Sequence, residues 1–338
     1  NGIYLFNYLT KKKFKVGLIN SYYNETDHFT QLLDRKPGAI VISTTFISGK
    51  QNLIKLVADI RDLAPDVFII VGGPLVYMSY LILERIREPD YDTESATDEF
   101  LFFYGGTEPE VDLYIISLRG EQILCDVLGR IREEKGIDDI ANCARWIGGE
   151  YRFANRTDDI SGIEDYAIDW AALPDAIFQS GVVPMQASNG CPYHCAFCNF
   201  TKDRRLTWVK PVERIVAEMK AVRDRGARYI WFVDDNFRLG QGDLEAVCRR
   251  FIDERLGVKW MTFVRASTLD HVDTDVLRQA GCTEVQLGLE SADPVVLENM
   301  NKMASPGLYR RVLQKLLGSG INCSCYFIFG FPGETEES

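Results

Sequence analysis

Cys191, Cys195 and Cys198 carry the most specific chemistry in this sequence. They stand in the stretch Asn189-Gly190-Cys191-Pro192-Tyr193-His194-Cys195-Ala196-Phe197-Cys198, a CxxxCxxC loop. Thiolates gathered this closely need a cation. Three of them can ligate three irons of a 4Fe-4S cubane and leave the fourth iron open to an exogenous ligand. A zinc site is the other chemistry the spacing allows, and it fits less well. Zinc ribbons pair two knuckles, whereas no second CxxC occurs in the chain, and His194, the nearest fourth ligand, directly precedes Cys195. The other cysteines, Cys125, Cys143, Cys248, Cys282, Cys323 and Cys325, have no ligand spacing and read as core residues.

The elements that must position this loop form a βα series. Short β-rich runs over Val182–Ala187, Tyr229–Val233, Lys259–Val264, Glu284–Leu289 and Cys323–Phe329 alternate with helical stretches. Gly226, Gly257 and Gly281 mark helix exits, and Asp293-Pro294 is a cap followed by a first helical position. Repeated units of this kind close into a partial or full barrel whose site lies at the strand carboxyl ends. The cysteine loop follows the first strand, where that rule puts a site.

Residues 1–118 make a second βα series. Strands are expected over Lys15–Asn20, Ala39–Ser43, Val67–Val71 and Asp112–Ser117, with helices near 3–12, 26–36, 49–64 and 76–88. Runs such as Ala-Ile-Val-Ile and Val-Phe-Ile-Ile-Val are apolar on both faces, which implies a doubly wound sheet covered on both sides. Residues 89–110 are acidic and irregular and read as an exposed insertion. Residues 119–180 read as one helix, about 121–134, and a linker.

The chain has 338 residues, 46% hydrophobic and 26% charged, with a net charge of -11. That balance offers no basic footprint for nucleic acid or an anionic membrane surface. No apolar run approaches the roughly 18 to 20 residues of a spanning helix, so a cytoplasmic location is expected. Nine cysteines at irregular spacing then argue for metal or core roles and against a disulfide framework. The sequence opens at Asn1 without Met and stops at Ser338 just after Gly-Phe-Pro-Gly. A missing first strand and a truncated carboxyl-terminal barrel are expected from this.

The cysteine loop, with an aromatic before its third cysteine, resembles the signature of the radical S-adenosylmethionine (SAM) superfamily, over residues 181–338. The resemblance implies a partial (βα)6 barrel. It also implies that the open iron chelates the methionine amine and carboxylate of SAM, and that one electron breaks the sulfonium C–S bond to give a 5'-deoxyadenosyl radical. Carried over by motif position, Cys191, Cys195 and Cys198 are the cluster ligands and Phe197 borders the adenine. Val233-Asp234-Asp235-Asn236-Phe237 stands where the family meets the methionine moiety, usually with Gly-Gly-Glu; here Asp234 and Asp235 replace it. Gly288-Leu289-Glu290-Ser291 resembles the element that contacts the ribose or carboxylate through Glu290 and Ser291. Phe327-Ile328-Phe329-Gly330-Phe331-Pro332-Gly333-Glu334 resembles the fifth-strand element, with Ile328 and Gly330 beside the adenine. Arg265, after the third strand, could pair a carboxylate or simply face solvent.

In the first series, Ser43-Thr44-Thr45 ends one strand and Val71-Gly72-Gly73-Pro74 the next. Small residues at strand carboxyl ends let a planar ligand approach the backbone. Ahead of a radical SAM region, this arrangement resembles the Rossmann-like cobalamin-binding domain fused to many members, so Ser43, Thr44, Thr45, Gly72, Gly73 and Pro74 are the expected cobalamin contacts. The Asp-x-His-x-x-Gly motif that supplies an imidazole ligand elsewhere is absent, and Asp27-His28 is adjacent rather than spaced.

The layout implies a cobalamin-dependent methyltransferase for an unactivated centre of a small molecule or peptide natural product, with some likeness to methyltransferases of phosphinate products. An electron donor such as flavodoxin or ferredoxin would serve it. A cobalamin-linked cyclase or rearranging enzyme and a non-catalytic cofactor sensor are the alternatives. A methylthiotransferase fits less well, because only Cys125 and Cys143 lie upstream where that group resembles a chain with three further cluster cysteines.

Overall fold

A computed structural model of the chain describes residues 2–86, 99–103, 108–157, 167–179, 181–198, 208–237 and 244–337. Most of the acidic insertion, and residues 158–166 of the expected linker, lie outside the described residues. The chain divides into two compact units, Asn1–Asp169 and Trp170–Ser338. No helix among the described residues is long and apolar enough to cross a membrane.

In the first unit, helices α1 (Gly2–Lys11), α2 (Thr26–Leu33), α3 (Lys50–Leu63), α4 (Pro74–Arg85) and α5 (Glu121–Arg132) accompany a five-stranded sheet. Its strands are β1 (Ala39–Ser43), β2 (Phe68–Gly72), β3 (Leu113–Ile115), β4 (Cys143–Ile147) and β5 (Glu150–Phe153), in that spatial order. β1, β2 and β3 are parallel, and their register aligns Ser43, Gly72 and Ile115 at the carboxyl ends. Alternate residues enter opposite cores. Ile69, Val71 and Tyr114 join Phe29, Leu53, Val57 and Val76 from α2, α3 and α4, whereas Ile70, Leu113 and Ile115 join Leu9, Leu124 and Val127 from α1 and α5. Burial on both faces is why these strands are continuously apolar.

Two expectations for this unit need correction. Lys15–Asn20 is not a strand: Phe14 and Val16 pack into one core and Ile19 against the other, but no ladder pairs the segment with β1. An apolar pattern reports burial, and backbone pairing is a separate requirement. The expected linker, in turn, contains the β4-β5 hairpin, which extends the sheet antiparallel to β3. Gly148 and Gly149, at φ 65° and 86°, provide the two left-handed positions of a tight hairpin turn. Among the described residues the parallel strands follow chain order, with helices packed on both faces.

The second unit contains α6 (Ala176–Gln179), α7 (Val212–Asp224), α8 (Leu244–Asp253), α9 (Ala266–Leu269), α10 (Thr274–Gln279), α11 (Pro294–Asn299) and α12 (Pro306–Leu317). Strands β6 (Val182–Met185), β9 (Tyr229–Phe232), β10 (Lys259–Val264), β11 (Cys282–Glu290) and β12 (Asn322–Phe327) form a parallel sheet in chain order. The short strands β7 (Ser188–Asn189) and β8 (Trp208–Val209) pair separately. Five parallel strands are present among the described residues, the five that the sequence pattern predicts, with β6 and β12 at the sheet edges. Trp260 anchors the buried face, its ring centroid 5.6–6.4 Å from those of Phe232, Phe237 and Phe251 and its indole N–H bonded to the Ala280 carbonyl. Asp293 caps α11 by accepting from the Val295 and Val296 amides, as the Asp-Pro pair predicts.

Gly281 leads α10 into β11 at φ 97°, and a Cβ there would lie 2.4 Å from the Val258 carbonyl oxygen. Left-handed geometry costs a side-chain-bearing residue about 1–2 kcal/mol, and the clash adds to it. Gly281→Ala should therefore cost at least about 2 kcal/mol, lowering the Tm of the second unit by about 4–8 °C in thermal melts followed by tryptophan fluorescence.

Candidate functional site

The cysteine loop leaves the carboxyl end of β6 and is tied down at three places. At its start, Asp234 accepts from the Ala187 amide at 3.2 Å, from the Ser188 hydroxyl at 2.6 Å and from the Ser188 amide. Asp235 accepts from the Gly190 amide at 2.8 Å, and Gly190 itself sits at φ 82°, a conformation that favours glycine. In the middle, the Ala196 amide donates to the Met300 carbonyl at 2.9 Å, and the Asn301 side chain donates to the His194 carbonyl at 2.8 Å. A turn bond from the Cys198 amide to the Cys195 carbonyl, 3.0 Å, closes the CxxC portion. Both aspartates thus spend hydrogen-bonding capacity on the loop backbone. Burial pushes the Asp234 carboxyl up to about 7, against the donors from Ser188 and Ala187 that favour the charged form.

The third tie is Arg265, the first residue after β10. It is buried, with its guanidinium carbon 3.8 Å from the Tyr193 ring centroid and Nη1 3.5 Å from Cys195 Sγ. Nη2 donates to the Lys302 carbonyl. The Lys302 side chain in turn pairs with Glu290 at 2.7 Å, both groups buried, and lies 5.6 Å from the Phe197 ring centroid. Glu290 occupies the left-handed region at φ 65°, beside an irregularity in the β11-β12 register. Ser291 is buried, and its hydroxyl accepts from the Asp293 amide in the turn before α11. The Ile328 amide bonds the Glu290 carbonyl at 2.9 Å, whereas Gly330 is exposed and its amide is taken by Glu334.

Phe197, Asp234, Asp235, Arg265, Glu290, Ser291, Ile328 and Gly330 thus all lie at or after strand carboxyl ends of one sheet, and most are joined by contacts to the cysteine loop or to one another. Cys191 is half-buried and Cys195 buried. Burial raises the Cys191 thiol, and the Tyr193 backbone and Arg265 counter that rise. Among the described residues no set of three or more Cys, His, Asp or Glu side chains stands in metal-ligating geometry. The donor chemistry nonetheless suits a cluster: three thiols on one short loop, one of them facing a guanidinium. Asn236 adds a buried side-chain oxygen with no partner among the described residues, an acceptor suited to the ammonium of a methionine moiety. Tyr309 on α12 was not distinguishable from a core aromatic by sequence. Its buried hydroxyl also lacks a partner among the described residues, and burial raises it to about 12.

In the first unit, the structure brings the two small-residue segments together at paired strand ends. The Ser43 and Thr45 hydroxyls are 3.0 Å apart. Thr44 is buried, donating to the Gly72 carbonyl at 3.0 Å and accepting from the Leu75 amide at 3.1 Å, so it caps the helix that Pro74 opens. A Cβ on Gly73, at φ 106°, would lie 3.0 Å from the Thr44 hydroxyl oxygen. Thr44 and Gly73 therefore have internal reasons for their identities, and the half-buried Ser43, Thr45, Gly72 and Pro74 form the small-residue edge a planar ligand could approach. His28 lies on α2, away from these strand ends in the sequence.

A family model described as the Radical SAM superfamily matches residues 185–338. Over 305 residues the chain is 28% identical to an uncharacterized methyltransferase of Pyrococcus horikoshii, covering 88% of this chain and 61% of that protein. Over 303 residues it is 25% identical to the anaerobic magnesium-protoporphyrin IX monomethyl ester cyclase of Rubrivivax gelatinosus, covering 82% and 53%. The chain thus spans little more than half the length of these relatives. Among solved structures, the radical S-adenosylmethionine methyltransferase TsrM of Kitasatospora setae, with cobalamin and a 4Fe-4S cluster bound, aligns with a TM-score of 0.69 at 18% identity, covering 99% of this chain and 67% of that one. The cobalamin-dependent enzyme OxsB aligns with a TM-score of 0.62 at 20% identity, covering 97% and 46%. These likenesses extend over both units and concern the fold.

Two outcomes follow from the ties at the loop's start. Asp235→Asn, which weakens the acceptor facing Gly190, should lower cluster affinity by about 10–100-fold, the usual effect of losing an outer partner, measured as iron and sulfide retained per chain under chelator challenge. Asp234 is shifted upward in the folded chain, so its contribution to stability is fully present below the unfolded carboxylate value near 4 and is lost as pH rises through about 7. The apo chain should accordingly lose more Tm between pH 4.5 and 7.5 than Asp234→Asn does; equal slopes in parallel melts would contradict the assignment.

Proposed function

We propose that this chain, whose residues 185–338 belong to the radical SAM superfamily, is a cobalamin-dependent methyltransferase of that superfamily acting on an unactivated centre of a small molecule or peptide natural product. The observation that carries the reading is the presence in one chain of a braced CxxxCxxC loop and of a separate α/β unit whose neighbouring parallel strands end in Ser43–Thr45 and Gly72–Pro74. The methyltransferase named among the relatives and the two solved structures that align over both units support it. When bound, a 4Fe-4S cluster would deliver an electron to SAM at its open iron, and cobalamin would carry the methyl group.

The chain's own residues have definable tasks in this scheme. Cys191, Cys195 and Cys198 hold the cluster, and Asp234, Asp235, Met300 and Asn301 keep their loop in one conformation. Asn236 offers an acceptor to the SAM ammonium. Phe197, kept in place under Lys302, presents an apolar wall for adenine, and the Lys302–Glu290 pair closes the floor beside it. Ser43, Thr45, Gly72 and Pro74 line the edge against which cobalamin would lie. A soluble one-electron donor such as flavodoxin or ferredoxin would supply the reductant, and no nucleic-acid partner is required.

A cyclase reading, in which no methyl is transferred, is favoured by the similarity to the Rubrivivax enzyme. Product analysis separates the two. Full-length protein reconstituted with iron, sulfide and hydroxocobalamin is incubated with SAM and a strong reductant. The methyltransferase should give deoxyadenosine together with S-adenosylhomocysteine in amounts matching bound cobalamin, and Cys195→Ala should abolish the deoxyadenosine. Deoxyadenosine alone would favour the cyclase, and neither product would overturn both.

A further inference from the structure

We propose that Arg265 sets the reduction potential of the cluster carried by the three-cysteine loop, acting through Cys195 as a positioning residue. The inference rests on the loop holding a 4Fe-4S cluster and goes beyond it, because the superfamily signature says nothing about which residue outside the loop controls its electronics. Sequence reading offered Arg265 a carboxylate partner or solvent. The structure provides neither: the side chain is buried, and among the described residues no carboxylate lies within ion-pair distance of it. Its terminal nitrogens go instead to Cys195 Sγ, at 3.5 Å, and to the Lys302 carbonyl.

A buried cation without a carboxylate is costly unless some other negative charge faces it. The group that faces it here is the Cys195 sulfur, which would carry that charge as a cluster ligand. The contacts also fix the guanidinium's orientation. Stacking 3.8 Å from the Tyr193 ring centroid holds its plane, and the Lys302 carbonyl takes one end, so the other end must point at the sulfur. Tyr193 belongs to the loop and Lys302 follows α11, so Arg265 bridges the loop to the body of the sheet.

A cluster gains one negative charge on reduction. A charged N–H donor on a ligand sulfur stabilises the reduced form more than the oxidised form, and burial strengthens the effect. Arg265 therefore raises the potential and makes the cluster easier to reduce. Lysine in its place keeps the charge but loses the flat stack and the forked donor, so it should restore only part of the effect.

The test is an EPR-monitored redox titration of the reconstituted full-length protein without SAM, with iron and sulfide counted for each variant. Arg265→Met should shift the one-electron equilibrium at least tenfold toward the oxidised cluster, equivalent to 59 mV, with Arg265→Lys between it and the unmodified protein. Tyr193→Leu, which removes the stack and leaves the arginine, should shift it in the same direction by a smaller factor. A fully loaded Arg265→Met within threefold of the unmodified protein would overturn the proposal. If that variant takes up no cluster, unshifted potentials in Arg265→Lys and Tyr193→Leu overturn it instead. Failure of the unmodified protein to bind a cluster would refute the underlying reading, and the iron count distinguishes that case.

Discussion

The conformation of the cysteine loop depends on two neighbouring carboxylates. Asp234 and Asp235 follow β9 and reach across to the chain leaving β6, where they collect the amides of Ala187, Ser188 and Gly190. A loop that must present three sulfurs to one cluster cannot use its own backbone amides in a helix or ladder, and buried amides without acceptors are expensive. Neighbouring strand ends meet that demand. The adjacency of β6 and β9 in the sheet makes it possible, so sheet order and site chemistry are one problem.

A second consequence concerns charge. The region around the loop contains Asp234, Asp235, Glu290, Lys302 and Arg265, most of them buried. Lys302 neutralises Glu290, and backbone amides satisfy Asp234 and Asp235. Arg265 is left facing a sulfur. This distribution gives the two carboxylates a structural task in the loop backbone and leaves the cation against a sulfur, a partner that neither its residue type nor its place in the sequence disclosed. The first unit shows the same economy on a smaller scale. Thr44 joins β1 to the start of α4, and its hydroxyl accounts for the glycine at position 73.

The five strands of the second unit's parallel sheet are legible in the sequence, because β-rich runs alternate there with helices that have clear caps; the short β7-β8 pair is not. The hairpin at 143–153 has a turn signal in Gly148-Gly149, but its flanking runs are short and polar enough to resemble a linker. Lys15–Asn20 has the short apolar run of a strand, and its residues do pack on the cores, but nothing in the residues themselves says that no neighbour pairs with it.

By itself the sequence determined that three thiols share one loop, that the loop follows a parallel strand, and that small residues end two strands in an earlier α/β unit. These are properties of spacing and periodicity, which local chain geometry enforces. Tertiary structure alone decided the partners. Asp235 bonds Gly190 across 45 positions and Arg265 meets Cys195 across 70, and contacts over such separations arise from strand order and register, which side-chain pattern does not encode. The two carboxylates brace the loop, and the arginine, whose place in the sequence allows a carboxylate partner or solvent, faces a sulfur, because in a buried site each group is claimed by whichever partner the fold brings nearest.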